Sequence, residues 1–148
     1  MKRIVILVVL LCGFSLFFGA CKKGPAPAPG AWIKATVNGA SWTATSYNAT
    51  KTVYNGQPAI QISGAITSGK SKISGIDLYV VNWNNKQSSF VIDTSNRLVA
   101  SYSNAYIPLS ASVGQITIGN YDSGIVQGSF SFTADSFTVS NGSFRLAY

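Results

Sequence analysis

The sequence predicts an all-β fold, an antiparallel β-sandwich or barrel-like domain of about nine strands. Three observations predict it. Apolar and polar residues alternate with period two in several segments, as in Ile60-Gln61-Ile62-Ser63 and Ser129-Phe130-Ser131-Phe132-Thr133. Three Asn-Gly pairs, at 38–39, 55–56 and 141–142, punctuate these segments. No stretch of residues 31–148 repeats its apolar residues at helical spacing. Alternation with Ser and Thr on the second face marks half-buried strands, and Asn-Gly supplies the positive φ of tight hairpins.

Taken in order, strands are predicted at 32–37 and 41–47, on either side of Asn38-Gly39. A strand at 59–67 carries Ile60, Ile62 and Ile66 on one face. The strand at 72–82 runs into Ile76-Asp77-Leu78-Tyr79-Val80-Val81, apolar on both faces as a central strand is. Shorter strands are expected at 88–93 and 97–103. Residues 103–114, with Pro108, read as a longer connection. Strands at 115–121, 125–134 and 136–147 complete the set, the last interrupted by a turn or bulge at Asn141-Gly142.

The chain begins Met1-Lys2-Arg3, continues as an apolar run from Ile4 to Ala20, and meets Cys21. A basic start, a short apolar core and small residues before a cut site make a secretory signal over residues 1–20. Phe18-Gly19-Ala20-Cys21 resembles the lipobox of bacterial lipoproteins, which implies cleavage before Cys21 and a lipid on its thiol. Residues 21–30 are a tether, because alternating Pro and Ala at 25–29 favour an extended chain without a core. Residues 31–148 form one domain. The lipoprotein resemblance implies an outer-membrane destination, since Lys22 is not the Asp of inner-membrane retention. Lys22 and Lys23, in place of acids, lean towards the periplasmic face over surface exposure.

Composition closes several function classes. There is no His and no Glu, and the two cysteines lie at positions 12 and 21, outside the domain. His-dependent triads and cysteine metal sites are therefore excluded there. The net charge of +7 is scattered, with no basic run that would track nucleic acid. Paired carboxylates could come only from Asp77, Asp93, Asp122 and Asp135. The last three precede Thr94, Ser123 and Ser136 at expected turns, where Asp caps its own backbone. These Asp-Ser/Thr pairs also resemble Bacteroidota O-glycosylation acceptors, but Ser95, Gly124 and Phe137 depart from that pattern. Asp77 is the odd one, inside a strand, and is expected to point outward at a sheet edge or to pair with a Lys. No enzyme activity, metal or cofactor is expected.

Gly64-Ala65-Ile66-Thr67-Ser68-Gly69-Lys70-Ser71 matches the phosphate-loop pattern G-x-x-x-x-G-K-[ST] at every position. A working phosphate loop leads into a helix. Here Ile73 to Val81 follows, β-branched, aromatic and broken by Gly75. The segment reads as a hairpin turning at Ser68-Gly69, with Lys70 and Lys72 facing water and no nucleotide bound.

Val37-Asn38-Gly39-Ala40-Ser41-Trp42, Gly128-Ser129-Phe130-Ser131-Phe132-Thr133-Ala134 and Val139-Ser140-Asn141-Gly142-Ser143-Phe144 together resemble small Bacteroidota lipoproteins of uncharacterised function. The resemblance implies an all-β domain behind a lipidated cysteine and carries over no catalytic residue. The leading functional expectation is a non-enzymatic envelope lipoprotein that presents its domain to another envelope component, held to the membrane by the lipid on Cys21. The alternative is a glycan- or peptidoglycan-binding module. Its candidate ligand surface is Tyr79, Trp83, Tyr102 and Tyr106, whose rings would stack on sugars beside Asn and Gln. The competing expectation is that Trp42 and Tyr79 fill the core, as large aromatic side chains do.

Overall fold

Period-two alternation becomes eleven strands among the described residues, paired throughout in antiparallel fashion. The computed structural model describes residues 30–84, 86, 88–119 and 124–148. The signal segment, Cys21, all but Gly30 of the tether, and Asp122 lie outside them.

The strands are β1 (Trp32–Val37), β2 (Ala40–Thr43), β3 (Ser46–Tyr54), β4 (Gln57–Ser68), β5 (Ser71–Val81), β6 (Ser88–Val91), β7 (Leu98–Asn104), β8 (Ile107–Ser110), β9 (Val113–Ile118), β10 (Ile125–Ala134) and β11 (Phe137–Ala147). One sheet has six strands in the order β2-β1-β11-β10-β9-β6. The other has five, in the order β3-β4-β5-β7-β8. Together they form an open sandwich and not a closed barrel.

Asn38-Gly39 and Asn55-Gly56 turn with φ of 48° and 82°, and of 48° and 77°. Both pairs join adjacent strands of one sheet, β1 to β2 and β3 to β4. At Asn141, φ is 51° and β11 carries one extra residue against both neighbours. The predicted interruption there is a bulge.

Two segments depart from the expected strands. The strand expected at 41–47 is β2 and the start of β3, in different sheets, and β3 runs on to Tyr54 through residues where no strand was expected. The chain crosses at Ala44-Thr45, where the Ala44 N–H bonds the Ile33 carbonyl and the Thr45 N–H bonds that of Ala65. The connection expected over 103–114 is instead a hairpin through Ala105-Tyr106, followed by β8 and the start of β9.

The inward residues of both sheets make one core. Ile62, Leu78, Ile116, Val126, Phe144 and Leu146 are each at most 1% exposed. Each such side chain contributes about 1.5–3 kcal/mol of burial. Trp42 is buried as expected, and its indole N–H donates to Ser74 Oγ at 2.9 Å, which satisfies the polar atoms of both inside the core. Gly64 lies opposite this indole. A Cβ there would stand 3.2 Å from the Trp42 ring and 3.0 Å from Ile33, so the missing side chain makes room for Trp42.

Candidate functional site

On β5 the residues Asp77 and Tyr79 are two apart, so both leave the outer face of the five-stranded sheet while Ile76, Leu78 and Val80 fill the core. The strand is central in its sheet, and register therefore sets its neighbours on both sides. Asp77 stands between Ser63 of β4 and Ser101 of β7. Ser63 in turn pairs with Asn48 of β3, and Ser101 with Ser110 of β8. The next rank outward along β5 is Thr50, Gln61, Tyr79 and Val99.

Asp77 organises the polar rank. Ser63 Oγ donates to its Oδ1 at 2.6 Å, and Gln61 Nε2 donates to Ser63 Oγ at 3.0 Å. Lys72 Nζ lies 3.6 Å from Oδ2, both side chains being about 30% exposed (32% and 27%). The expected pairing of Asp77 with a Lys is met; the side chain also points outward, but from the central strand of its sheet and not from a sheet edge. Lys72 reaches it because β5 bulges at Ile73 against β4, between the pairs Ile66↔Ser74 and Thr67↔Lys72. Its side chain then runs across Gly75, where a Cβ would collide with Lys72 Cε. A pair this open to water adds about 0.2–1 kcal/mol to stability, so its weight is in placing charges rather than in holding the fold.

Beside this network the Tyr54 and Tyr79 rings stand 5.2 Å apart at 40°. Burial, then the charge of Asp77, then Tyr54, push the Tyr79 phenol above its ordinary value of 10.0, so it stays a neutral hydrogen-bonding group at neutral pH. A depression of about 250 Å³ opens next to Asp77, lined by Ser46, Tyr47, Asn48, Ser63 and Lys72 among others. An aromatic pair, a carboxylate, an ammonium group, an amide and a hydroxyl thus share one open sheet face.

The four aromatics expected to form a surface are not gathered on one. Tyr79 alone belongs to this face, and it does not fill the core as the competing expectation had it, because parity on β5 turns it outward between the buried Leu78 and Val80. Tyr102 pairs with Ile76 and points inward, 6% exposed, with its ring 4.7 Å from Phe137. Trp83 follows the far end of β5, packs on the core edge 5.5 Å from Tyr148, and donates its indole N–H to the Lys86 carbonyl. Tyr106 is 63% exposed in the β7–β8 turn, where its hydroxyl accepts the Lys72 N–H at 3.1 Å. The lipid-site residue Cys21 lies outside the described residues.

The phosphate-loop pattern folds as a hairpin. Residues Gly64 to Ser68 end β4, Gly69-Lys70 turn, and Ser71 begins β5. The turn sits one residue later than expected, and Lys72 is half-buried against Asp77 instead of facing water. Asp93 accepts both the N–H and the hydroxyl of Ser95, which holds its carboxyl below the ordinary range and makes it the turn residue expected.

Sequence reasoning did not bring Tyr54, Ser63 and Gln61 to the site. Part of the signal was present, because residues two apart on a strand share a face. Comparison with protein families, with curated proteins and with solved structures returns no match for this chain.

Proposed function

We propose that this chain is a non-enzymatic lipoprotein of the bacterial envelope, anchored through lipid on Cys21, whose five-stranded sheet binds a saccharide on its outer face. The observation that carries the reading is the Tyr54–Tyr79 ring pair beside the Ser63–Asp77–Lys72 network. Sugar rings present C–H faces that pack on aromatic rings, and hydroxyl edges that need both donors and acceptors. Tyr79 and Tyr54 supply the first, and Asp77, Lys72, Gln61 and Ser63 supply the second. The lipid, the tether and a periplasm-facing place at the outer membrane would put this face among envelope glycans. Membership among the small Bacteroidota lipoproteins is part of the same reading.

The test is glycan binding by the intact protein in detergent, screened across envelope and dietary polysaccharides. Tyr79→Ala and Asp77→Asn are each expected to weaken binding at least about tenfold, the loss of one good contact, with the unfolding midpoint nearly unchanged for Asp77→Asn. Binding that survives both variants would place the ligand elsewhere.

A second reading has its own observation. Ile73, Tyr106 and Ile107 are 49%, 63% and 65% exposed and are brought together where the Ala105 N–H bonds the Ile73 carbonyl. That apolar tip suits docking of another envelope protein. It takes precedence if no glycan binds and crosslinking from residue 106 captures one defined envelope partner.

A further inference from the structure

We infer that the site is a multi-sugar strip running across the strands, and that its ligand is a single soluble chain of equatorially linked pyranoses, uncharged along its length. This rests on the saccharide-binding reading above. The register puts Asn48, Ser63, Asp77, Ser101 and Ser110 in one rank, one residue from each of the five strands. Neighbouring strands are about 4.8 Å apart, so the rank crosses the sheet in about 19 Å. An extended, equatorially linked sugar chain advances by nearly the same step per residue, so successive sugars meet successive strands.

The strip has two sides. Along the second rank, Tyr79 and Val99 offer apolar surface and Thr50 and Gln61 polar groups, with Tyr54 beside Tyr79. A chain laid along the boundary would set ring faces on Tyr79 and Val99 and its hydroxyl edge on the Asp77 rank. The charged groups of the strip, Asp77 and Lys72, are paired with each other, so the strip favours a neutral ligand. Sheets twist by about 20–25° per strand, so the rank turns as it crosses. A free chain can follow that turn, whereas the flat face of a crystalline fibre cannot.

The experiment is calorimetry of the intact protein with β-1,4-linked gluco- and chito-oligosaccharides of two to six sugars, and with α-1,4-linked malto-oligosaccharides, which coil. Affinity for one of the β-linked series is expected to rise about tenfold or more from two sugars to four or five, then level off. Asn48→Ala, on the edge strand, should weaken the five-sugar ligand and leave the two-sugar ligand unchanged. Tight binding that does not change with length, lost in Tyr79→Ala, would overturn the strip while leaving the saccharide reading intact. Equal gains with length for the malto series would overturn the extended geometry. Failure of every soluble and insoluble glycan would remove both readings together.

Discussion

Tyr79 is a phenol packed against another phenol and facing the charge of Asp77, and both neighbours disfavour its ionised form. The sign of the consequence follows from where the proton sits. Above pH 10.0, the ordinary value, an unfolded chain releases this proton while the folded chain keeps it. The folded state then binds more protons, and stability falls as pH rises until the raised value is passed. Denaturant unfolding measured from pH 9 to 11 is expected to show a steeper loss for the natural chain than for Tyr79→Phe, which has no proton to lose at that position. Parallel slopes for the two would mean that the ring is better solvated than its packing implies. Parity along β5 puts Asp77 and Tyr79 on one face, but the run Ile76 to Val81 reads as apolar on both faces, which hid that pairing in the sequence. The Lys72 contact was not legible either, because it depends on a bulge at Ile73 and on the missing side chain of Gly75.

At the scale of elements, turns divide into those written in the sequence and one that is not. Ala105 and Tyr106 have φ of 45° and 75°, the left-handed pair that Asn-Gly fills elsewhere in this chain. An L-residue with a Cβ gives up about 1–2 kcal/mol there. The strain is held by two bonds from the neighbouring strand end, Ala105 N–H to the Ile73 carbonyl and Lys72 N–H to the Tyr106 hydroxyl. Ala105→Asn keeps both bonds and is expected to raise stability by about 0.5–1 kcal/mol, read as a shift in the denaturant midpoint. This turn hid β8 from sequence reasoning, and Pro108 hid it further. Pro108 is tolerable because β8 is an edge strand, where a missing N–H also blunts pairing with other chains. The opposite edge, β3, was overlooked for a related reason. Among its nine residues only Ala49 is fully buried, so alternation is faint, although Asn55-Gly56 marked its end. Central strands such as β5 and β10, with apolar residues at every second position or more, were legible nearly to the residue.

Across the whole molecule, strand order was the least legible feature. The six-stranded sheet joins β1 to β11, and Asn38 Oδ1 accepts the Thr138 N–H at 2.8 Å from a hundred residues away. No local pattern encodes such a pairing. Its energetic weight is testable. A chain ending at Ala134 keeps ten strands but divides that sheet into β2-β1 and β10-β9-β6, with the inner faces of both pieces open where Phe144 and Leu146 belong. It is expected to unfold without a cooperative transition in denaturant, whereas the full chain shows one. The same arrangement bears on the order in which the protein can be completed. A chain that emerges from a ribosome or a narrow channel with its beginning first brings out β1 early and β11 last. Until β11 is free, its larger sheet has no centre, and the strands ahead of it stay threadable.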